Sequence, residues 1–152
     1  MRTLVVGIGN TLLSDDGVGM IVAREIKERV GSVDVAESNT VGLPLLEDIA
    51  GYEKVVFIDS AGDGMDAGQV RRFDLEEIRK SCPFASHGIN LPLTIELGRK
   101  CGEDVPKELS IYGIGTTDTN TFSEECTDEV RKAIPGIVDY IIDMEFNGGR
   151  NG

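Results

Sequence analysis

The sequence predicts a single three-layer α/β/α domain on a five-stranded twisted sheet, mostly parallel but mixed. An apolar run at residues 4–6 leads through a glycine-rich turn into an amphipathic run at 18–30. A β-branched and aromatic run at 54–59 is apolar on both faces, which is typical of a central strand. Strand-like and helix-like segments alternate along the chain without a repeat. We place the domain at residues 1–146 and expect 147–152 to form a flexible tail.

Five segments have the β-branched composition or the alternation that favours strands. In chain order, these predicted strands are residues 3–6, 33–36, 54–59, 69–73 and 108–114. We expect the fourth of them to lie at an edge of the sheet and to run antiparallel to its neighbour.

Helices are predicted where apolar residues recur at spacings of three and four. These predicted helices are residues 18–30, 43–50, 75–79, 93–101 and a last one from 123 to about 144. Ser123 resembles an N-cap of the last helix, and Pro135 with Gly136 should kink or split that helix.

Composition limits the classes of partner. The chain has 15 basic and 27 acidic residues and a net charge of −12, which argues against nucleic acid and anionic membrane as partners. No apolar run reaches the roughly 18 residues of a membrane span, and strand-like sequence begins too early for a signal peptide. Three cysteines without a C-x-x-C pair indicate a reducing compartment. We therefore expect a cytoplasmic protein, and a monomer because no heptad or large apolar stripe is present.

Three candidate ligands lie beyond the carboxyl ends of the predicted strands, where open α/β sheets usually have their binding sites. Asp16 follows the first strand, Asp59 ends the central strand, and His87, the only histidine, sits in a loop that could cover the same edge. Two carboxylates and an imidazole suit zinc, nickel, iron or manganese. Other interpretations stay open: Asp16 as a helix N-cap, Asp59 in an Asx turn and His87 as an exposed side chain.

Other chemistries have weaker support in the same segments. Leu12 stands where a dinucleotide-binding G-x-G-x-x-G loop would place its third glycine. Paired-acid hydrolysis by Asp15 and Asp16 is possible, but adjacent side chains normally point in different directions. We therefore expect Asp16 to face the site and Asp15 to cap the helix or stabilise a loop.

The segment Gly7-Ile-Gly-Asn-Thr-Leu-Leu-Ser-Asp-Asp-Gly-Val-Gly19 resembles the N-terminal signature of the hydrogenase maturation endopeptidases, which process the large subunit of nickel-iron hydrogenases. The resemblance continues through residues 40–42, 57–59, 86–92 and 111–114, the loop ending near residue 122 and the final helix. It covers nearly the whole chain and implies a phosphorylase/hydrolase-like α/β fold.

The resemblance also implies a site and a reaction. Carried over one by one, the metal-contacting and catalytic residues of the family fall on Asp16, Asp59 and His87. Relatives often have glutamate at the first position, and the loop 37–40 departs from their pattern. The implied reaction is a single cut that removes a C-terminal extension from the large-subunit precursor after nickel insertion. The implied cofactor is nickel carried by that precursor, with cadmium or zinc expected to substitute.

Two alternatives accompany this interpretation. One is a non-catalytic, metal-dependent binding module for a nickel-loaded partner. The other is a peptidyl-tRNA hydrolase-like enzyme, which shares the G-x-G-N opening. That family needs a histidine shortly after the opening, and this chain has none there. The net charge of −12 also argues against tRNA as a substrate.

Overall fold

The computed structural model describes residues 2–39, 42–61, 64–80 and 91–147, and within them one mixed sheet of five strands. The strands are β1 (Thr3–Ile8), β2 (Asp34–Ser38), β3 (Lys54–Ala61), β4 (Val70–Phe73) and β5 (Glu108–Gly115). Their order across the sheet is β2-β1-β3-β5-β4. The first three pairings are parallel, and β4 runs antiparallel to β5 at one edge. The predicted fold class is confirmed, including the antiparallel edge strand.

Helices cover both faces of this sheet and enclose two apolar cores. The helices are α1 (Val18–Val30), α2 (Leu43–Ile49), α3 (Leu75–Lys80), α4 (Leu91–Lys100) and α5 (Asp128–Ile142). Helices α1 and α5 bury their apolar faces against one side of the sheet. Helices α2, α3 and α4 cover the other side. A π-helical turn, Asp143–Asn147, follows α5, and the rest of the predicted tail lies outside the described residues.

Four strands, β1, β2, β3 and β5, end one or two residues later than the sequence predicts, and the change matters most in β3 and β2. Strand β3 continues to Ala61, so Asp59 lies inside the strand instead of at its end. Strand β2 includes Glu37 and Ser38, which pair with Gly7 and Ile8 of β1. In both strands pairing with a neighbour extends a segment whose local composition suggests a loop.

The last helix differs from its prediction at its start and in its middle. It begins at Asp128 after Thr127, and Ser123 instead pairs with Leu13 in an isolated bridge. Pro135 lies inside one uninterrupted helix, so the predicted split is wrong. Proline removes a single main-chain donor, and the apolar face of α5 on both sides of it is buried against the sheet.

Among the described residues, every helix is too short or too polar to cross a lipid bilayer. Cys101 is exposed and Cys126 is buried, and both are free thiols. Cys82 and His87 lie outside the described residues.

The strand order creates one crevice at the carboxyl edge of the sheet. From β1 the chain crosses to β2 on one side, whereas β3 lies on the other side of β1. Such a switch point between neighbouring parallel strands leaves a crevice between the connections that leave them. Asp16 lies in the connection that leaves β1, and Asp59 lies near the end of β3.

Candidate active site

The glycine-rich segment folds as the end of β1, a tight turn and a 3-10 turn (Ser14–Gly17) that runs into α1. Gly9 has a φ of 142°, and a Cβ at this position would lie 1.9 Å from the carbonyl oxygen of Asp16. A side chain at Gly9 would therefore prevent the turn from folding back over the end of β1. This glycine lets Asp16 lie above the strand.

A second glycine brings the start of α1 against β3. A Cβ on Gly19 would lie 2.2 Å from the carbonyl oxygen of Ile58, the residue before Asp59. Close packing of helix and strand at this point is possible because Gly19 has no side chain. The contact brings the connection that carries Asp16 next to the strand that carries Asp59.

The carboxylate of Asp16 is buried and held from both sides. Its Oδ2 accepts a hydrogen bond from the main-chain N–H of Asn10 at 3.0 Å, and its Oδ1 accepts one from the Ser60 hydroxyl at 3.2 Å. Gly17 occupies the N-cap of α1 and makes no side-chain cap bond, so Asp16 is not the helix cap. Its carboxylate instead connects the β1 turn to β3.

Asp59 is a buried carboxylate whose two oxygens have unequal surroundings. Its Oδ1 accepts the N–H of Ser60 at 2.7 Å, whereas its buried Oδ2 has no hydrogen-bond partner among the described residues. Burial, and then the nearby negative charge of Asp16, raise the pKa of Asp59 well above its usual value, although the Ser60 N–H opposes this. A buried oxygen without a donor is costly, and a cation would satisfy it.

Asp15 hydrogen-bonds to different partners from those of its neighbour Asp16. Its side chain is fully buried and accepts hydrogen bonds from the N–H groups of Thr117, Asp118 and Thr127 and from the Thr127 hydroxyl, at 2.7–3.0 Å. It therefore fixes the connection between β5 and α5, which agrees with the expectation that Asp15 stabilises a loop. The structure gives no support to paired-acid hydrolysis by Asp15 and Asp16.

The described part of the site offers two carboxylates to a cation. No group of three histidine, cysteine, aspartate or glutamate residues that could hold a metal occurs within 2–39, 42–61, 64–80 and 91–147. The predicted third ligand, His87, lies outside those residues. Carboxylate oxygens suit divalent cations, and the free Oδ2 of Asp59 fits that use. Two such ligands would leave most coordination positions to other groups.

Two residues that position Asp16, Asn10 and Ser60, are not among the site residues that the sequence predicts. Asn10 acts through its main-chain N–H, and its own side chain accepts the N–H of Leu12 at 2.9 Å, which shapes the turn. Ser60 reaches Asp16 across 44 residues of chain. The G-x-G-N pattern is the signal for the first, while no local signal marks Ser60.

A polar crevice opens where β1 and β2 end, at the turn that follows β1. Its volume is about 450 Å³, and it is lined mainly by polar groups, among them Asn10, Glu37, Ser38 and Asp48. A groove of this kind has room for an extended segment of chain.

Comparison with known proteins identifies the family. The family model of the hydrogenase maturation proteases (HycI) matches residues 20–144, a range that starts after Asp16 and includes the positions of Asp59 and His87. The hydrogenase 2 maturation protease of Escherichia coli K12 is 28% identical over 120 residues, covering 75% of this chain and 73% of its own. The coenzyme F420 hydrogenase subunit delta of Methanothermobacter thermautotrophicus is 30% identical over 158 residues, covering 92% of each chain.

Solved structures agree with this assignment. The hydrogenase-maturating endopeptidase HybD of E. coli has a TM-score of 0.77 at 23% identity over 98% of this chain and 94% of its own, which supports the fold. The [NiFe] hydrogenase maturation protease HybD of Thermococcus kodakarensis has a TM-score of 0.73 at 26% identity, over 95% of this chain and 99% of its own. These matches support an endopeptidase over a peptidyl-tRNA hydrolase or a non-catalytic binding module. The chain belongs to the hydrogenase maturation protease family.

Proposed function

We propose that the protein removes the C-terminal extension of a nickel-iron hydrogenase large-subunit precursor after nickel insertion, and recognises the bound nickel through Asp16, Asp59 and His87. The observation that carries this proposal is the buried Asp59 carboxylate, whose Oδ2 has no donor among the described residues and which lies beside Asp16. The family assignment supplies the class of reaction, the hydrolysis of a peptide bond.

The carboxylates are suited to a metal that arrives with the substrate. The nickel of the precursor has ligands of its own, so the protease needs to supply only an incomplete set. Asp16 and Asp59 would supply oxygens at the switch-point crevice, and His87 is the proposed third ligand. Because both carboxylates are buried, a cation would offset the cost of holding two negative charges close together.

When bound, the nickel ion would supply a fixed point for the substrate and a Lewis acid near the scissile carbonyl. The chain's own residues would do the remaining work. The Asn10 N–H and the Ser60 hydroxyl hold the Asp16 carboxylate in place. Burial raises the pKa of Asp59, and a bound cation would favour its charged form and satisfy its Oδ2. The polar crevice beside Asn10 would receive chain next to the cleaved bond.

The proposal is tested by incubating the protein with nickel-loaded and nickel-free large-subunit precursors of each nickel-iron hydrogenase in the source organism. Mass spectrometry should detect one released C-terminal peptide, from the nickel-loaded form alone. We expect Asp59→Asn and the double variant Asp16→Ala, His87→Ala to lose at least ~100-fold in rate, a loss typical of removing groups that act on the transition state. Asp139→Asn is the control, because this exposed residue lies in the last part of α5. Normal cutting by the double variant would reject the assignment of the site.

Metal binding has a readout that does not depend on cleavage. Because the chain has one histidine, its imidazole signals can be followed by NMR while Ni²⁺, Cd²⁺ or Zn²⁺ is added. We expect a saturable shift that Asp16→Asn or Asp59→Asn abolishes. Signals that do not move would show that the isolated protein binds no metal at this site, and nickel recognition would then require the precursor.

A further inference from the structure

Two large apolar side chains lie exposed on neighbouring loops. Phe122, on the connection between β5 and α5, is 86% exposed, and Leu12, on the connection between β1 and α1, is 53% exposed. Three main-chain hydrogen bonds join the loops. The Ser123 N–H donates to the Leu12 carbonyl at 3.0 Å, the Ser14 N–H to the Ser123 carbonyl at 2.8 Å, and the Asp15 N–H to the Asp118 carbonyl at 2.9 Å. The two side chains, called here the Leu12–Phe122 patch, are therefore carried by paired segments of backbone.

Hydrogen bonds on both sides of Phe122 hold its loop in a defined conformation. On one side, the Asp118 carboxylate accepts the N–H groups of Asn120 and Thr121 at 2.8 and 3.0 Å. On the other side, Asp15 accepts the N–H and the hydroxyl of Thr127. The phenyl ring is thus presented to solvent by an ordered loop. An ordered apolar anchor loses little conformational entropy on binding, which is the usual advantage of a preformed contact.

The patch and Asp16 of the proposed active site are carried by the same two connections of the chain. Leu12 precedes Asp16 by four residues in one connection, and the buried Asp15 between them ties that connection to the loop of Phe122. Acidic side chains border the ring in sequence, with Asp118 before it and Glu124 and Glu125 after it. An exposed aromatic residue with a charged rim is the usual composition of an energetically dominant point in a protein interface.

We propose that the Leu12–Phe122 patch is the docking point for the protein substrate, and that it inserts into an apolar pocket bordered by basic residues on the hydrogenase large-subunit precursor. This inference rests on the proposed function, since it names the surface that seats the same substrate. Leu12 lies four residues before Asp16 in the same connection, so a precursor bound at the patch would have its cleavage segment close to Asp16. The acidic rim explains why the complementary surface should be basic.

The test measures steady-state cleavage of the nickel-loaded precursor by Phe122→Ala and Leu12→Ala. Each substitution should raise KM roughly 10- to 100-fold, the loss expected when a large apolar side chain no longer enters a pocket, while kcat stays nearly unchanged. Phe122→Leu should restore most of the affinity. Melting temperatures should match the wild type, because the ring is exposed in the free protein.

Met144→Ala is the matched control. Met144 is 46% exposed and lies at the opposite edge of the sheet, where the neighbouring Glu145 carbonyl accepts the Lys54 ammonium at 2.8 Å. Its KM and kcat should equal those of the wild type.

A binding measurement separates this inference from the proposed function. The nickel-free precursor is expected not to be cut, so immobilised wild-type protein should bind it without releasing a peptide, and Phe122→Ala should weaken that binding by a similar factor. If the precursor is cut normally and KM and affinity are unchanged in the Leu12→Ala, Phe122→Ala double variant, the docking inference is wrong and the proposed function stands. If binding depends on Phe122 but the wild type releases no peptide from the nickel-loaded precursor, the proposed function fails and the docking point stands. Absence of both binding and cleavage would overturn both.

Discussion

Asp15 and Asp16 are neighbours in the chain, yet their carboxylates have different surroundings. Asp15 accepts four hydrogen bonds from the connection between β5 and α5. Asp16 accepts one from Asn10 and one from Ser60. Asp59, equally buried, keeps one oxygen without a donor among the described residues. Asp15 is fully hydrogen-bonded within the fold, whereas the second oxygen of Asp59 can still bind a ligand.

This contrast predicts opposite effects on stability. Asp15→Ala should lower the free energy of unfolding by roughly 3 kcal/mol, because it leaves buried N–H groups without an acceptor. Asp59→Asn should leave the metal-free protein as stable as the wild type or more stable, because it removes a buried charge with an unpaired oxygen. Urea unfolding measures both, with the exposed Asp128→Asn as a control. A large loss of stability in Asp59→Asn would contradict the idea that the site is maintained for function at a cost in stability.

At the scale of an element, glycine contacts determine how α1 meets the sheet. Gly19 lies against the Ile58 carbonyl, and the same packing brings the Asp16 connection next to β3. Gly136 is also a helical glycine, in α5, but a Cβ there would meet no atom within 4 Å. Residue type and helical setting are the same at both positions, so the difference between them is purely one of packing.

We expect Gly19→Ala and Gly136→Ala to change stability in opposite directions. Gly19→Ala should destabilise the protein by roughly 1–3 kcal/mol, because the new methyl group would overlap a main-chain oxygen that cannot easily move. Gly136→Ala should stabilise it by about 0.5–1 kcal/mol, since alanine loses less entropy in a helix. Denaturant unfolding of both variants in one buffer is the measurement. Equal changes of the same sign would show that the Ile58 contact does not control the position of α1.

At the scale of the whole molecule, the two ends of the parallel strands have different roles. The carboxyl edge holds Asp16, Asp59 and the Leu12–Phe122 patch. At the opposite edge Glu145, in the turn after α5, pairs with the Lys54 ammonium at 2.9 Å and accepts hydrogen bonds from Tyr112 and Ser110. Burial would raise the pKa of Glu145, but these hydrogen bonds and the Lys54 charge together lower it below its usual value. This network fastens the turn after α5 to the sheet, away from the site.

Glu145→Gln should therefore reduce stability in a pH-dependent way without changing cleavage. A carboxyl whose pKa is lowered by folding contributes stability above its unfolded pKa, about 4.3, and loses that contribution as the pH falls through the lower folded value. At pH 7 the variant should be less stable by roughly 1.5–3 kcal/mol, the usual worth of hydrogen bonds to a charged group. The difference from the wild type should shrink as the pH falls below about 4. A difference that stays constant with pH would mean that the charge of Glu145 does not contribute.

Much of the structure of this protein can be predicted from local patterns in its sequence. Alternating strands and helices determine the fold class, and the β-branched and aromatic composition of residues 54–59 predicts a central strand that ends near Asp59. The glycines of the opening segment indicate a tight turn. Two of them, Gly9 and Gly19, lie where a Cβ would come within 2.2 Å of a main-chain oxygen. These features depend on conformational preferences that act over a few residues.

Other features depend on contacts between distant parts of the chain, so they arise only when the chain is folded. Sheet pairing extends β2 and β3, and core packing keeps α5 continuous through Pro135. Asp15 and Asp16 have the same chemistry and adjacent positions, and only their partners from residues 60 and 117–127 separate a loop anchor from a site carboxylate. Local sequence therefore specifies the kinds of residue that are available to the site. Folding determines which carboxylate is fully satisfied and which keeps capacity for a ligand, because hydrogen bonding and burial are set by neighbours that are remote along the chain.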